Sequence, residues 1–296
     1  MIPEHKGRQF RRLLTEEPYL FTGGIYEPLG AQMAERVGMK SIYLSGYSMA
    51  LHNAWPDMGF LTQTEVARIA SMVASATSLP VIADADDGYG NPINVARTVR
   101  AYEAAGVAGL HLEDQLSPKR CGHLEGKQLI AASEMVEKVR AAVEARRSAD
   151  LVVIARTDAR AVEGFEAALE RARRYRDAGA DVLFVEAPES EAEVAAVAQA
   201  FPDTPLLFNA VEGGRTPPIA LARLRELGFR LVLCPLTALL AATAAVQDAL
   251  AVLRRSGTPD HAGTLSFSGF TDLIGLPELQ RLEARYEAVP GPAARS

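Results

Sequence analysis

"PVIADADDGYGNPINVARTVRAYEAAGVAGLHLED", residues 80–114, contains one complete structural unit from which the rest of the fold can be read. Residues 80–86 ("PVIADAD") and 109–114 ("GLHLED") are short apolar runs that end in acid. Between them, residues 94–106 carry apolar side chains at helical spacing and stop at Gly106. Strands with no polar alternation are buried on both faces, and strands joined through a helix lie parallel. The unit recurs along the chain. Further strands are predicted at 20–24 ("LFTGG"), 41–46 ("SIYLSG"), 151–157 ("LVVIART"), 182–188 ("VLFVEAP"), 205–210 ("PLLFNA") and 230–235 ("RLVLCP"). Amphipathic segments at 164–179 and 220–228 also end in glycine. Eight such strands alternating with helices predict a closed (β/α)8 TIM barrel; an open doubly wound sheet would not naturally use eight evenly spaced units. With no linker or break in composition, the chain reads as one barrel domain over 1–296, with 256–296 as a C-terminal helical extension and tail.

Bulk properties narrow the function. The 296 residues are 48 % apolar and 23 % charged, with a net charge of −6, which disfavours a nucleic-acid partner. "RARRYRDAG" (171–179) is interleaved with Glu166, Glu170 and Asp177 and reads as a solvated helix face. Two cysteines far apart fit a reducing compartment without disulfides. The charged N-terminal stretch "MIPEHKGRQFRRLL" lacks the apolar core of a signal peptide. The run "LVLCPLTALLAATAAV" (231–246) falls short of the ~20 residues that span a bilayer and reads as a strand leading into a buried helix. A cytoplasmic protein without a membrane partner is expected.

In a barrel of this kind the chemistry gathers where strands end. Tyr43, Ser45, Asp84, Asp86, Glu113, Asp114, Arg156, Asp158, Glu186 and Asn209 all fall there. Helix N-capping accounts for Asp158 and Asp114. The remaining acids converge with too little arginine to balance them, which calls for a cation. Carboxylates without histidine or cysteine at ligand spacing favour Mg²⁺, with Mn²⁺ as the alternative, over zinc. "DADDGYG" (84–90) is not an EF-hand, because Gly88, Tyr89 and Val95 stand at positions where that loop needs other residues. Gly88 and Gly90 instead permit a tight turn beside the metal. Cys121 lies in "PKRCGH" (118–123), where Lys119, Arg120 and His123 are expected to lower its thiol pKa and suit it to proton exchange. Cys234, on an apolar strand, reads as packing, His111 as a core histidine and Trp55 as packing beside the site.

"YLSGY" (43–47), "WPDMG" (55–59), "DADDGYGN" (84–91), "HLEDQ" (111–115), "PKRCGHLEGK" (118–127), "IARTDA" (154–159) and "NAVEGGRTP" (209–217) together resemble the isocitrate lyase/phosphoenolpyruvate mutase superfamily. The likeness covers roughly residues 8–255, in order, and the K-R-C-G-H loop resembles the lyase signature. The resemblance implies a Mg²⁺-dependent barrel working through an enolate-like intermediate, and homotetramers that exchange the last helix between subunits. On this basis Asp84, Asp86 and Glu113 match metal-binding positions, with Asp57 a further acid nearby. Ser45, Gly46 and Tyr47 match the segment holding the substrate's carboxylate. Gly122, Glu186 and Asn209 join them in substrate binding, together with Arg156, the active-site arginine. In this reading Cys121 protonates the departing carbanion, His123 supports it and Tyr43 takes the hydroxyl proton.

Within the superfamily the expected activity is a lyase splitting a 2-hydroxy di- or tricarboxylate of the isocitrate, 2-methylisocitrate or alkylmalate type. A carboxyphosphonoenolpyruvate-type phosphonomutase and an oxaloacetate C–C hydrolase are the alternatives, and a barrel that merely binds metal or dicarboxylate is a fourth. Tyr47 stands where methylisocitrate lyases usually carry glycine, and Asp87 where a small residue or threonine is common. "NAVEGGRTP" looks closer to the alkylmalate-lyase and mutase branches. Leu236 and Thr237, after the last strand, are placed to select the side chain accepted. The partner is therefore a small-molecule carboxylate. The segment 270–289, with Leu and Ile at helical spacing, is expected to pack against a neighbouring subunit.

Overall fold

A computed structural model of the chain describes residues 5–258 and 263–287. The first four residues of the N-terminal stretch and residues 288–296 of the expected tail lie outside the described residues. Eight parallel strands close into a barrel in sequence order. They are β1 (Leu20–Ile25), β2 (Ile42–Leu44), β3 (Val81–Asp84), β4 (Gly109–Glu113), β5 (Val152–Thr157), β6 (Val182–Val185), β7 (Leu206–Asn209) and β8 (Leu231–Cys234). The helices are α1 (Lys6–Glu16), α2 (Pro28–Arg36), α3 (Gly46–His52), α4 (Gln63–Ser75), α5 (Pro92–Ala104), α6 (Ala132–Ala145), α7 (Phe165–Asp177), α8 (Glu191–Ala200), α9 (Leu221–Leu227), α10 (Thr237–Ser256), α11 (Phe267–Leu273) and α12 (Leu276–Glu287). Each predicted strand overlaps an observed one. The helices begin where local chemistry favours it: Thr62 and Glu65 form a capping box on α4, and Asn91 with Pro92 opens α5. Gly106, Gly179 and Gly228 follow helices at φ of 85°, 106° and 91°.

Two apolar layers organise the barrel. The outer layer lies between strands and helices. The inner one combines Phe10, Leu13 and Leu14 of α1 with Leu20, Ile82, Val152, Ile154, Val182, Phe184, Leu207 and Leu231. These residues cluster about the strand starts, so α1 closes the N-terminal end and the chemistry is left to the other. Side chains alternate along a strand. The inner series therefore steps from Ile82 to Asp84, His111 to Glu113, Ile154 to Arg156 and Leu207 to Asn209. An apolar filling gives way to a polar layer within one repeat.

Two capping assignments are corrected. Asp158 makes no side-chain cap; its oxygens accept from Arg156 Nε and Nη2 at 2.9 and 3.0 Å. Asp114 accepts from Thr157 Oγ1, Asp158 N, Tyr175 Oη and Arg171 Nη1. Arg171 is accordingly buried, while Arg173 and Arg176 keep the solvated face expected of this helix. A carboxylate enclosed by β5 and α7 binds whatever donors surround it, and sequence spacing does not reveal which those are.

The chain divides into two compact units, 1–241 and 242–296. The helix expected to be buried is not. Of the residues of α10 only Leu239 is buried. Leu240, Val246, Leu250 and Leu253 are exposed. At 20 residues α10 outlasts the apolar run, and among the described residues it alone is long and apolar enough to cross a membrane by length and composition. In the second unit Phe267, Leu279 and Leu282 are exposed as well.

Candidate active site

The C-terminal ends of the strands enclose a small pocket. Its lining brings together Tyr43, Ser45, Tyr47, Asp57, Asp84, Cys121, Gly122, His123, Arg156, Glu186 and Asn209. Asp86 lines an adjoining space with Asp57 and Asp84, and Gly46 opens the same wall. Glu113 completes the group beside Asp84 and Arg156. All the predicted site residues thus converge.

The acids expected to bind the metal are held in distinct states. Asp84 Oδ1 accepts from Asp86 N at 2.9 Å, and Oδ2 from Gly46 N at 3.2 Å. A Cβ at Gly46 would overlap that same oxygen, so only glycine fits. Burial alone would raise the Asp84 carboxyl, but His111, Lys119 and Arg156 hold it at about 2. Burial lifts Asp86 to about 7, with Asp84 and Asp57 repelling its charge against Lys119. Asp86 has φ 46°, a left-handed geometry stabilised by its own N–H on Asp84 and by Glu113 N donating to its carbonyl at 2.9 Å. Glu113 is fully buried, and neither carboxylate oxygen has a hydrogen-bond partner. Burial pushes it well above the usual carboxylate range, although Arg156 Nε lies 3.3 Å away.

Sequence reading missed three supports. Lys119 is buried in the cluster, with Nζ 2.6 Å from Asp57 and 2.8 Å from Asp86. His111 sits inside the barrel as expected, but it is no passive core residue. Its Nε2 lies 2.6 Å from Tyr43 Oη, and its ligand atom falls within 4.8 Å of those of Asp84 and Glu113. Gln115 clamps the cysteine loop by exchanging hydrogen bonds with the Arg120 backbone. Asp87, which stands where a small residue or threonine is common, faces Lys138, which donates to its carbonyl at 2.9 Å.

The loop 118–127 lies directly on the strand ends. A Cβ at Gly122 would overlap Arg156 and Glu186. Lys127 bonds the Gly122 carbonyl and approaches Asp158 at 3.5 Å. His123 Nδ1 accepts from Arg215 N at 3.0 Å, which leaves the ring proton on Nε2, 2.9 Å from Glu186 Oε1. The imidazole therefore serves Glu186; only the backbone of His123 supports Cys121. Glu186, which burial would raise, is held at about 2 by Arg156, His123 and Lys127. The expected lowering of the Cys121 thiol is overturned, since burial pushes it up to about 11. The cations of the loop are engaged elsewhere: Lys119 with acids, and Arg120 on the surface with the Glu125 carbonyl. Trp55 is likewise exposed, edge-on to Phe60.

Tyr43 is buried, and burial with the nearby Asp84 charge keeps its phenol well above 10. Ser45 Oγ caps α3 by accepting from Ser48 N, which leaves its O–H to donate, whereas Gly46 N–H is already given to Asp84. Asn209 Nδ2 lies 3.3 and 3.4 Å from the Glu186 oxygens.

Residues 10–254 match the family described as phosphoenolpyruvate phosphomutase. The chain belongs to this family. Among relatives of known name, 2,3-dimethylmalate lyase of Eubacterium barkeri is 41 % identical over 283 residues, covering 94 % of this chain and 97 % of that one. A probable 2-methylisocitrate lyase of Corynebacterium glutamicum is 47 % identical over 237 residues, or 80 % and 78 % of the two chains. The structure of an oxaloacetate acetylhydrolase with 3,3-difluorooxalacetate superposes with a TM-score of 0.91 at 36 % identity, covering 99 % of each chain. The chain is thus similar over most of its length to both lyases and a hydrolase.

Proposed function

We propose that the chain is a Mg²⁺-dependent carbon–carbon lyase that splits a 2-hydroxy di- or tricarboxylate into a 2-oxo acid and a carboxylate. The observation that carries this reading is Glu113, a buried carboxylate whose oxygens have no hydrogen bond, clustered with Asp84 at strand ends whose adjoining pocket is also lined by Cys121. Asp57, Asp84, Asp86, Glu113, Asp158 and Glu186 outnumber Lys119, Lys127 and Arg156, an imbalance that fits a divalent ion held by hard oxygens. Asp84, Asp86, Glu113 and Asp57 are the holding set, and a bound Mg²⁺ (or Mn²⁺) supplies Lewis-acid polarisation of a hydroxyl and its neighbouring carboxylate.

The chain's own residues do the rest. Arg156, fixed by Asp158, offers charge-assisted hydrogen bonds to the oxygen on which charge develops. Tyr43 is protonated, so it takes up the hydroxyl proton by passing its own to His111 Nε2 behind it. Cys121, a neutral thiol near pH 7, protonates the far more basic enolate of the departing carboxylate. The loop excludes water from this exchange.

Assembly belongs to the same proposal. An apolar groove lined by Phe21, Ile25, Met33, Val37, Met39 and Cys234 lies open on the barrel unit, and α10 exposes apolar residues. A homotetramer that exchanges its C-terminal helices would cover both. Gln247 and Asp248 in mid-helix favour that over a bilayer. Both cysteines are unpaired, in keeping with a cytoplasmic enzyme.

The test is 2-oxo acid release from isocitrate, 2-methylisocitrate and 2,3-dimethylmalate, and oxalate release from oxaloacetate, with and without Mg²⁺. Mg²⁺-dependent release from a hydroxy acid is expected. Full turnover after exhaustive chelation, or a new P–C resonance in phosphorus NMR from a phosphonoenolpyruvate substrate with no lyase activity, would overturn the reading.

A further inference from the structure

We infer that Arg215, on the loop after β7, is a positioning residue that holds the cysteine loop 118–127 against the strand ends, acting through His123. The inference deepens the lyase reading, and only its kinetic arm rests on that reading.

The cysteine loop is anchored near its two ends by buried lysines of its own. Lys119 reaches Asp57 and Asp86, and Lys127 bonds the Gly122 carbonyl. The residues between them meet a different element. Three groups of Arg215 converge on this stretch. Its backbone N–H donates to His123 Nδ1 at 3.0 Å, Nε donates to the His123 carbonyl at 3.2 Å, and Nη2 donates to Glu125 Oε1 at 3.2 Å. Nη1 lies 3.9 Å from Glu189, which follows β6 and also pairs with Arg160 at 3.0 Å. The two loops fit closely: a Cβ at Gly214 would come within 2.8 Å of His123 Nδ1, and Gly213 takes φ 72°.

These contacts differ in strength. Glu125 is exposed, and an exposed ion pair contributes little. The bond from the guanidinium to the His123 carbonyl is charge-assisted and fixes the peptide two residues from Cys121. It depends on the planar fork, in which Nε serves the carbonyl while the terminal nitrogens turn to Glu125 and Glu189; an ammonium lacks that geometry. Through its backbone N–H the same residue keeps the His123 ring turned so that Nε2 meets Glu186 at 2.9 Å. Displacing residue 215 therefore loosens both Cys121 and the partner of Glu186. None of these contacts involves Asp57, Asp84, Asp86 or Glu113.

The experiment follows Cys121 on the full chain with Mg²⁺, in a Cys234→Ala background, by the rate of iodoacetamide labelling at pH 8. Arg215→Ala should raise that rate at least about fivefold, because the loop leaves the strand ends more often. Arg215→Lys should do nearly the same, since charge alone does not replace the fork, and it stands in if Arg215→Ala fails to fold by circular dichroism. Glu125→Gln should stay within about twofold of the parent. Arg160→Ala, which breaks the neighbouring pairs with Glu189 and Glu193 outside the loop, should also stay within about twofold. Under the lyase reading, Arg215→Ala should lower kcat at least about tenfold on a hydroxy acid that the wild type cleaves, while Mg²⁺ affinity and melting temperature hold. Labelling that is unchanged in both Arg215 variants, or raised equally by Arg160→Ala, overturns the inference and leaves the lyase reading standing. An unchanged kcat despite faster labelling also overturns it. If no hydroxy acid is cleaved, the lyase reading falls, and the labelling comparison still decides whether Arg215 holds the loop.

Discussion

At the mouth of the barrel Glu113 is fully buried with neither oxygen hydrogen-bonded, whereas in the C-terminal helices Leu250, Phe267 and Leu279 are 60 %, 87 % and 61 % exposed. One region buries charge and the other exposes apolar surface. Both run against the preferences of an isolated chain, but the missing complement differs. Carboxylates in excess are satisfied by a cation. A stripe of leucine is satisfied only by another apolar surface. The difference separates what the chain would use for chemistry from what the proposed tetramer would cover, and each half can be broken independently.

The largest effects belong to the mouth. Asp84→Ala should weaken Mg²⁺ binding by at least about 100-fold in calorimetry, because Asp84 sits at the strand end with its charge held on. Asp158→Ala should change that affinity only a few-fold yet cut kcat, since its oxygens position Arg156 rather than the ion. Comparable losses of affinity in the two variants would erase the distinction between ligand and positioning residue. Cys121→Ala should bind Mg²⁺ and substrate normally but lose cleavage by at least about 100-fold, and Cys121→Ser should be nearly as poor.

Next comes the buried charge itself. Burial raises Asp86 to about 7 and Glu113 well above its usual 4.5. Over the window from about 4 to 7 the folded, metal-free protein therefore keeps protons that the unfolded chain has released, and stability falls as pH rises. Asp84 and Glu186, held at about 2, act in the opposite sense and only below about pH 4.5. Glu113→Gln should flatten the fall and stabilise the metal-free protein at pH 7 by about 1–3 kcal/mol, while losing much of the stabilisation that Mg²⁺ gives the wild type. Thermal melts across pH, with chelator and with Mg²⁺, measure both. A melt as steep in the variant as in the wild type would show that the charge of Glu113 is not the cost.

The other half breaks at the C-terminus. Truncation before Phe267 should weaken the tetramer at least about tenfold in sedimentation while Mg²⁺ binding persists. A wild-type monomer at micromolar concentration would remove the assembly reading and leave the apolar stripe unexplained.

The fold was legible because each strand is an apolar run with its own helix stop, and such local signals survive without knowledge of the neighbours. The strand-end acids were legible for the same reason. What stayed hidden depends on which way a side chain turns. Lys119 points inward to Asp57 and Asp86, whereas its neighbour Arg120 points outward, so adjacency to Cys121 misled. The partners of Asp114 come from β5 and α7, 43 to 61 residues away, and no spacing rule reaches that far. The burial expected of α10 failed differently: an apolar helix predicts that something covers it, and the sequence does not say which chain does so.

The smallest effect concerns the two cysteines, which sit at opposite ends of this comparison yet share one physical state. Cys121 faces the polar pocket and Cys234 the apolar groove, but burial lifts both thiols to about 11. A raised thiol pKa means that the neutral form dominates at pH 8, so labelling by iodoacetamide should be slow at either site compared with a free thiol. In a Cys234→Ala background the rate at Cys121 should climb about tenfold per pH unit and continue to do so up to about pH 10, with no plateau near 8. Mass spectrometry of the labelled peptide reads this directly. A plateau near pH 8 would mean that the loop cations reach the thiol after all, and Cys121 would then meet the substrate as a thiolate, unable to be the acid.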